Sequence, residues 1–540
     1  MKKNLSASLL ALVLAAFAAG QTPTPTPALA PVPTPTPSLE KLQSLTELQS
    51  RIYARLARPE LRRGQVGVKI VSMNTGKVIF DQNSEKYFMP ASNMKNFTVA
   101  AALEKLTPDY KFVTSVFAPS MPDSNGVVRS LRIYGRGDVS ISTAFFPLDD
   151  SDKDPVTGKV DETKVYYKGI DRLVEKIAAA GVKRIEGELV ADETFFTGNP
   201  VPGSWEWDDL QWYYGAEISA LPLNDNAIDL SVKPGTAGQA CIVKLSPYNA
   251  VVRITNLCTT TAAGTPRTLR IEKKIDRNIL EISGTLPVGN AGFNRPVTVS
   301  RPAELFIALL KERLALKGIT VAGATRVVNN KVNLPADATI EIAKLESLPL
   351  SLIAAKTMKP SQNMYTETLL WTVGENARVA SLNSPGGGVA PSSTSDSAEL
   401  GIAAVKKFLT DIGVAPDGII QHDGSGLSRH NLITPAAVVQ LYTYMGKQSR
   451  FSQAWRDSLT IGGVDGTLRN RFSGTRAAGN VRGKTGTIDQ VSALSGYVRT
   501  AAGEELVFSM VVNGIIESSV RTAAMDEIVV ALANFDGRID

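Results

Sequence analysis

Ser92 and Lys95 stand three positions apart in PASNMK (90–95), at the opening of a stretch whose composition suits a helix. Side chains at that spacing share one helix face, so the lysine amine can reach the serine hydroxyl. A neutral lysine there can take the hydroxyl proton and make the serine a nucleophile for acyl transfer. Burial or a second nearby cation would lower its pKa far enough for that. A second pattern, Ser361-Gln362-Asn363, stands at a predicted helix start in KPSQNMYTETLLW. Its serine can relay a proton to a leaving amine, and its asparagine can both donate to and accept from an amide. The third, Lys484-Thr485-Gly486-Thr487, enters a strand, and Lys-Thr-Gly occurs nowhere else in the chain. A lysine and hydroxyls can bind a terminal carboxylate there, while glycine removes the side chain that would keep a substrate backbone away. The N–H near Thr487, with that of Ser92, can hold an oxyanion.

Each pattern is weak by itself. Ser38-x-x-Lys41 repeats the first in a linker-like region, and Ser72-Met73-Asn74 repeats the second beside a turn. Helix capping is a common reason for such serines. Other chemistries have less to draw on. His422 and His430 are the only histidines, in a Gly/Ser-rich stretch, and no G-x-S-x-G elbow accompanies them, which speaks against a Ser-His-Asp triad and for loop packing. The histidine spacing and the distant cysteines supply no zinc ligand set. Asp150, Asp152 and Asp154 alternate like the start of a calcium loop, but Pro155 stands where that loop needs glycine, so a solvated surface loop is expected. Neither a metal nor another cofactor is expected.

The elements that must position these residues are readable from periodicity. Leu39, Leu42, Leu45, Leu48, Ile52 and Leu56 predict an amphipathic helix ending near Pro59. QVGVKIVS (65–72) and KVIFD (77–81), separated by Asn74-Thr75-Gly76, read as a hairpin. Pro90-Ala91-Ser92 opens a helix to about Lys105. VRGKTGTI (481–488), VSALSGYVRT (491–500) and ELVFSMVVNG (505–514) read as consecutive strands, and Thr522 to Phe535 as a closing helix. Together they predict an α/β (α+β) unit, an antiparallel sheet flanked by helices from both ends of the chain. Between 114 and 345 the texture changes to short β-like runs, with helices near 169–180 and 303–317. This is read as an inserted β-rich module, two nested domains in one version, which splits the main unit into 38–113 and 346–540. Cys241 and Cys258 bracket two strand-like runs joined at Ser246-Pro247-Tyr248-Asn249, so a structural disulfide across a strand pair is expected.

In this order, Ser-x-x-Lys, Ser-x-Asn and Lys-Thr-Gly resemble the motif set of penicillin-binding proteins and serine β-lactamases. PASNMK (90–95), the long insert, YGAEISALPLNDN (214–226), DGSGLSRHNLITP (423–435), GGVDGTLRNR (462–471) and GKTGTIDQVSALSGY (483–497) resemble, more narrowly, the D-alanyl-D-alanine carboxypeptidase/endopeptidase family, the class C low-molecular-mass penicillin-binding proteins. The resemblance runs from about residue 40 to the C-terminus. It implies a transpeptidase-like domain interrupted between the first two motifs. It also implies roles: Ser92 forms the acyl-enzyme, Lys95 is the base, Ser361 and Asn363 handle proton relay and the substrate amide, and Lys484, Thr485 and Thr487 bind the substrate carboxylate with Gly486 between them. Gln362 stands where many members have aspartate. The implied activity is that of a serine D-Ala-D-Ala carboxypeptidase or DD-endopeptidase acting on peptidoglycan stem peptides and cross-bridges, with β-lactam antibiotics as inhibitors. A serine β-lactamase and a non-catalytic cell-wall-binding scaffold of the same fold are the rival readings.

Composition sets the surroundings. Lys2 and Lys3, the apolar run from Leu5 to Ala19 and the small residues up to Gly20 read as a secretory signal peptide, so export to the periplasm or cell-envelope space is expected. That run is shorter than the roughly 20 residues a membrane-spanning helix needs. Residues 21–37, rich in proline and threonine, read as an extended linker. The 58 basic and 52 acidic residues are interspersed, giving a net charge of +6 without a long basic tract, which is a poor match to a nucleic-acid binder. Weak wall or membrane association and a homodimer both stay open.

Overall fold

Val66, Val68 and Ile70 alternate along the strand Gln65–Ser72 and are buried, which places one face of that strand in a core. The strand sits inside a six-stranded antiparallel sheet built from both ends of the chain. Its order is Val78–Gln82, Gln65–Ser72, Glu505–Asn513, Val491–Arg499, Arg482–Ile488 and Thr460–Ile461. The computed structural model describes residues 42–539 apart from 147, 155–156, 331–333, 336 and 383–394. The expected signal peptide (1–20), the linker (21–37) and the Ser38/Lys41 pair lie outside the described residues.

Helices from the two ends, Leu45–Leu56 and Ser518–Asn534, cover one face of the sheet, with Leu48, Ile52, Ile528 and Leu532 in one core with Val68, Phe508 and Met510. The first helix begins at Leu45 because Ser44 and Glu47 form a capping box: Glu47 N–H donates to Ser44 Oγ at 3.2 Å, and Ser44 N–H to the Glu47 carboxylate at 2.7 Å. Leu42, which the periodicity included, precedes the cap and is exposed. The other face carries a helical layer: Lys95–Leu106, Leu350–Met358, Asn363–Leu382, Ser397–Asp411, Pro435–Lys447 and Ser452–Ser458. Phe97, Leu103, Leu441 and Tyr442 pack there with Ala493, Val507 and Val511 of the sheet.

From 113 to 346 the chain builds its own sheets. Strand Val113–Ala118 leads in and strand Ile340–Glu346 leads out, and the two pair antiparallel with Val113 opposite Glu346. They belong to a five-stranded sheet ordered Thr325–Val328, Leu189–Asp192, Leu131–Tyr134, Val113–Ala118, Ile340–Glu346. Helices Glu162–Ala179 and Pro302–Leu316 share its core through Ile170, Leu173, Leu309 and Leu310, and smaller sheets follow.

Cys241 and Cys258 are bonded, with Cα atoms 5.4 Å apart. The expected hairpin between them is not formed. Ile242–Ser246 pairs with Ala227–Lys233, whereas Arg253–Asn256 pairs with Ile279–Ser283 in another sheet. The cysteines instead flank a single antiparallel bridge, Ala240 to Thr259, made by Cys241 N–H to Cys258 O at 2.8 Å and Thr260 N–H to Gln239 O at 2.7 Å. The acidic run also differs from a solvated loop. Asp150 is exposed, but the carboxylate of Asp152 is 1% exposed and accepts Lys168 Nζ at 2.6 Å. Among the described residues no cluster of three or more His, Cys, Asp or Glu could hold a metal ion; Pro155 lies outside them.

Candidate active site

The helix expected from Ala91 onward starts with a 3₁₀ turn, Ala91–Met94, and becomes α-helical only at Lys95. In a 3₁₀ turn residues three apart eclipse, which brings Ser92 and Lys95 closer in line than α geometry would. Lys95 Nζ lies 3.1 Å from Ser92 Oγ, 2.6 Å from Asn363 Oδ1 and 2.7 Å from the carbonyl oxygen of Ser425. The lysine is 0% exposed. Burial pushes its pKa down to about 7, against the opposing pull of Asp423 and Glu367.

The second motif begins with Ser361 in the left-handed region, φ 67°, just before the helix Asn363–Leu382. That turn aims Ser361 Oγ at Lys484 Nζ, 2.8 Å away. Asn363 is more committed than its sequence pattern suggests. Its oxygen accepts Lys95, and its amide donates to Tyr214 O at 2.8 Å, which leaves one N–H for a substrate. Gln362 bonds Asp225 at 3.0 Å and caps the helix through Met364 N–H at 3.1 Å. An aspartate at 362 would set carboxylate against carboxylate, whereas glutamine donates.

The third motif lies on Arg482–Ile488, beyond whose short pairing with Thr460–Ile461 the strand edge turns toward Ser92. Gly486 is needed there for the enzyme's own backbone. A Cβ would come within 2.5 Å of Pro90 O and 3.1 Å of Ser92 N. Thr487 is exposed to the cleft, while Thr485 Oγ1 is bonded to Thr467 Oγ1 at 2.7 Å. Lys484 is 0% exposed and also donates to Thr485 O at 2.8 Å. Burial, and then the charge of Lys95, push its pKa well below the usual lysine value. A bound carboxylate would restore its charge.

A cleft of about 810 Å³ collects Ser92, Ser361, Asn363, Thr485 and Thr487, with Glu206, Asp208 and Asp209 among its further lining. A larger cavity, about 1610 Å³, bordered by Glu193, Lys273 and Trp371 among others, contains none of the motif residues. Ser72 bonds the carboxylate of Glu504, to which Asn74 also donates at 2.8 Å, so the repeat of the second motif is a turn device. The backbone N–H groups of His422 and His430 donate to Asn431 and Ser428 within their loop.

Two acids beside Lys95 carry no motif. Glu367 lies one helical turn beyond Asn363, and its charge amid the apolar MYTETLLW was the available signal. Asp423 opens DGSGLS, a loop whose sequence stood out without a role for its acid.

An antiparallel sheet with a serine turn against its edge, and two serines facing one cleft, each bonded to a buried lysine, define a serine acyl-transfer enzyme of the penicillin-binding type. The chain belongs to the D-Ala-D-Ala carboxypeptidase 3 (S13) family, whose pattern matches residues 48–535. It is 34% identical over 507 residues to a D-alanyl-D-alanine carboxypeptidase of Actinomadura sp. (strain R39), covering 91% of this chain and 86% of that one. It is 26% identical to the D-alanyl-D-alanine carboxypeptidase DacB of Haemophilus influenzae, covering 83% and 85%. The crystal structure of penicillin binding protein 4 (dacB) from Haemophilus influenzae has the same fold, with a TM-score of 0.71 at 22% identity, covering 89% of this chain and 98% of that one. The protein is a serine-type D-Ala-D-Ala carboxypeptidase by family.

Proposed function

We propose that Ser92 is the nucleophile and Lys95 its general base, acting on the D-Ala-D-Ala ends of peptidoglycan stem peptides and on the cross-bridges between them. One observation carries this reading: a fully buried lysine whose amine lies 3.1 Å from Ser92 Oγ and loses its proton near pH 7. Neutral Lys95 takes the Ser92 proton as Oγ bonds the penultimate carbonyl carbon. The oxyanion faces the Ser92 amide and the strand edge near Thr487. As the tetrahedral species collapses, the C–N bond breaks and the leaving amine takes a proton through Lys95 and Ser361. Water then adds to the ester and releases Ser92. Lys484, Thr485 and Thr487 take the terminal carboxylate in this scheme. A β-lactam follows the same acylation with its ring amide.

The leader-like first 20 residues support export to the cell-envelope space. No helix among the described residues is long and apolar enough to cross a membrane. Two measurements test the reading. Ser92→Ala should abolish both labelling by a fluorescent penicillin and peptidase activity, while Ser38→Ala changes neither; a labelled Ser92→Ala protein would refute the assignment. Mass spectrometry of digested peptidoglycan should show released alanine for carboxypeptidase action and dimers becoming monomers for endopeptidase action. Penicillin destroyed at many equivalents per minute would instead mark a β-lactamase.

A further inference from the structure

The loop behind Lys95 is irregular, yet its peptide planes are fixed by two buried carboxylates. Glu367, 0% exposed, accepts Gly424 N–H at 2.9 Å and Ser425 N–H at 2.7 Å. Asp423, 1% exposed, accepts Gly426 N–H, Ser428 N–H and Asn431 Nδ2, each at 2.7 Å, and Trp205 Nε1 at 2.9 Å. The Ser425 carbonyl that accepts Lys95 shares a peptide with Gly426 N–H, so Asp423 holds one end of that plane and Lys95 binds the other. Glu367 holds the two peptides before it. The loop is also tied to the serine helix, since Thr98 Oγ1 donates to Gly424 O at 2.8 Å and a Cβ at Gly426 would lie 1.8 Å from Ala91 O. Glu367 and Asn363 are four residues apart on one helix face, so that face offers Lys95 a direct acceptor and, through the loop, an indirect one.

We propose that Glu367 and Asp423 are positioning residues for the general base: they lock the Ser425 carbonyl that aims Lys95 at Ser92. The proposal rests on the Ser92 and Lys95 reading above. The charged groups that act on Lys95 are Asp423, from the loop, and Glu367, from the second-motif helix; Lys484, from the strand, feels the Lys95 charge in turn. Both acids favour the protonated lysine, while burial opposes it. Burial and then Asp423 push the Glu367 carboxyl itself up to about 8, against the two amides that stabilise its charge, so it is mostly protonated where Lys95 titrates.

Glu367 gives the cleaner test, because Asp423 has four partners to lose. Glu367→Gln and Glu367→Asp are made in the full chain, active sites are counted by exhaustive labelling with fluorescent penicillin, and acylation rate per site is followed from acid to alkaline pH. Glu367→Gln should lose about tenfold or more in rate at its optimum, a typical scale for disturbed general-base catalysis. Its acid limb should stay within about half a unit of the wild type, because a carboxyl pushed up to about 8 is mostly protonated where Lys95 titrates, so the loss is one of positioning. Glu367→Asp should keep the limb and recover part of the rate. KM for a peptide substrate should stay within about threefold, because Glu367 does not line the cleft. Wild-type rates in both variants, or equal loss in both, would overturn the proposal. If Glu367→Gln yields no labelled sites, Glu367→Asp decides alone: a slowed rate with the wild-type limb supports it, and a wild-type rate sinks it. Wild-type protein that takes no label at Ser92 would sink the underlying reading instead.

Discussion

The buried amine of Lys95, proposed above as the general base, acts against stability. The unfolded chain keeps a lysine proton up to about pH 10.5, while the folded site releases it near 7. The unfolded state therefore binds more protons between those values, so stability rises with pH through that window, and the full cost of burying the amine remains below it. Each pH unit is worth about 1.4 kcal/mol. Lys95→Met should be inactive, and its stability relative to the wild type should improve by on the order of 2–4 kcal/mol between pH 10 and pH 7. Denaturant titrations of both proteins at the two pH values measure this, and a difference that does not change with pH would refute the depressed lysine. At this scale residue type and spacing picked out side chains that the structure brings together. Ser92, Lys95, Ser361 and Lys484 could be named from residue type and spacing. Glu367 and Asp423 could not, because their work is done on backbone amides contributed by a distant loop, and a single sequence carries no trace of that pairing.

Periodicity found the helices and strands but not how tightly they approach one another. The hairpin at 65–82, the three C-terminal strands and the closing helix follow apolar alternation, and they form the sheet as expected. The cysteine segment misled because two β-like runs around a proline turn look like a hairpin, whereas each run found a better partner elsewhere. Register and partner are set by the faces that get buried, which local pattern does not specify. Gly486 is the counterpart at the site. Its role looked like making room for a substrate, and its first neighbour is the Pro90 carbonyl. Gly486→Ala should push the strand edge away from the Ser92 turn and slow penicillin acylation by about a hundredfold or more, the scale of losing one oxyanion donor. The protein should stay folded, since the strand's ladder to Val491–Arg499 is untouched. A variant acylated at the wild-type rate would mean that the strand and turn need not touch.

The chain between 113 and 346 enters and leaves through paired strands, as an insertion would, yet parts of it build the cleft. Phe145, Phe196, Trp205 and Ile218 lie in the same core as Phe97 and Leu103 of the serine helix, whereas Cys241 and Cys258 lie in the separate core of the insert's sheets. Tyr214 O takes the Asn363 amide, Asp225 takes Gln362 and the Tyr365 hydroxyl, and Trp205 Nε1 donates to the Asp423 carboxylate. We propose that the insert has a catalytic-facing part and an outer part with different energetic duties, and two variants separate them. Replacing both cysteines by alanine removes a crosslink with a sequence separation of 17. That should cost about 3 kcal/mol by loop closure while the acylation rate at Ser92 stays unchanged. Trp205→Phe keeps an aromatic ring but leaves a buried carboxylate one donor short, a change worth about 1.5–3 kcal/mol for a bond to a charged group. Because that carboxylate holds the Gly426 amide, the loss should reach Lys95 and slow acylation per labelled site. Thermal melts and acylation rates on the two variants decide it. If the cysteine variant slows acylation as much as Trp205→Phe does, the insert acts as one body and the division is wrong.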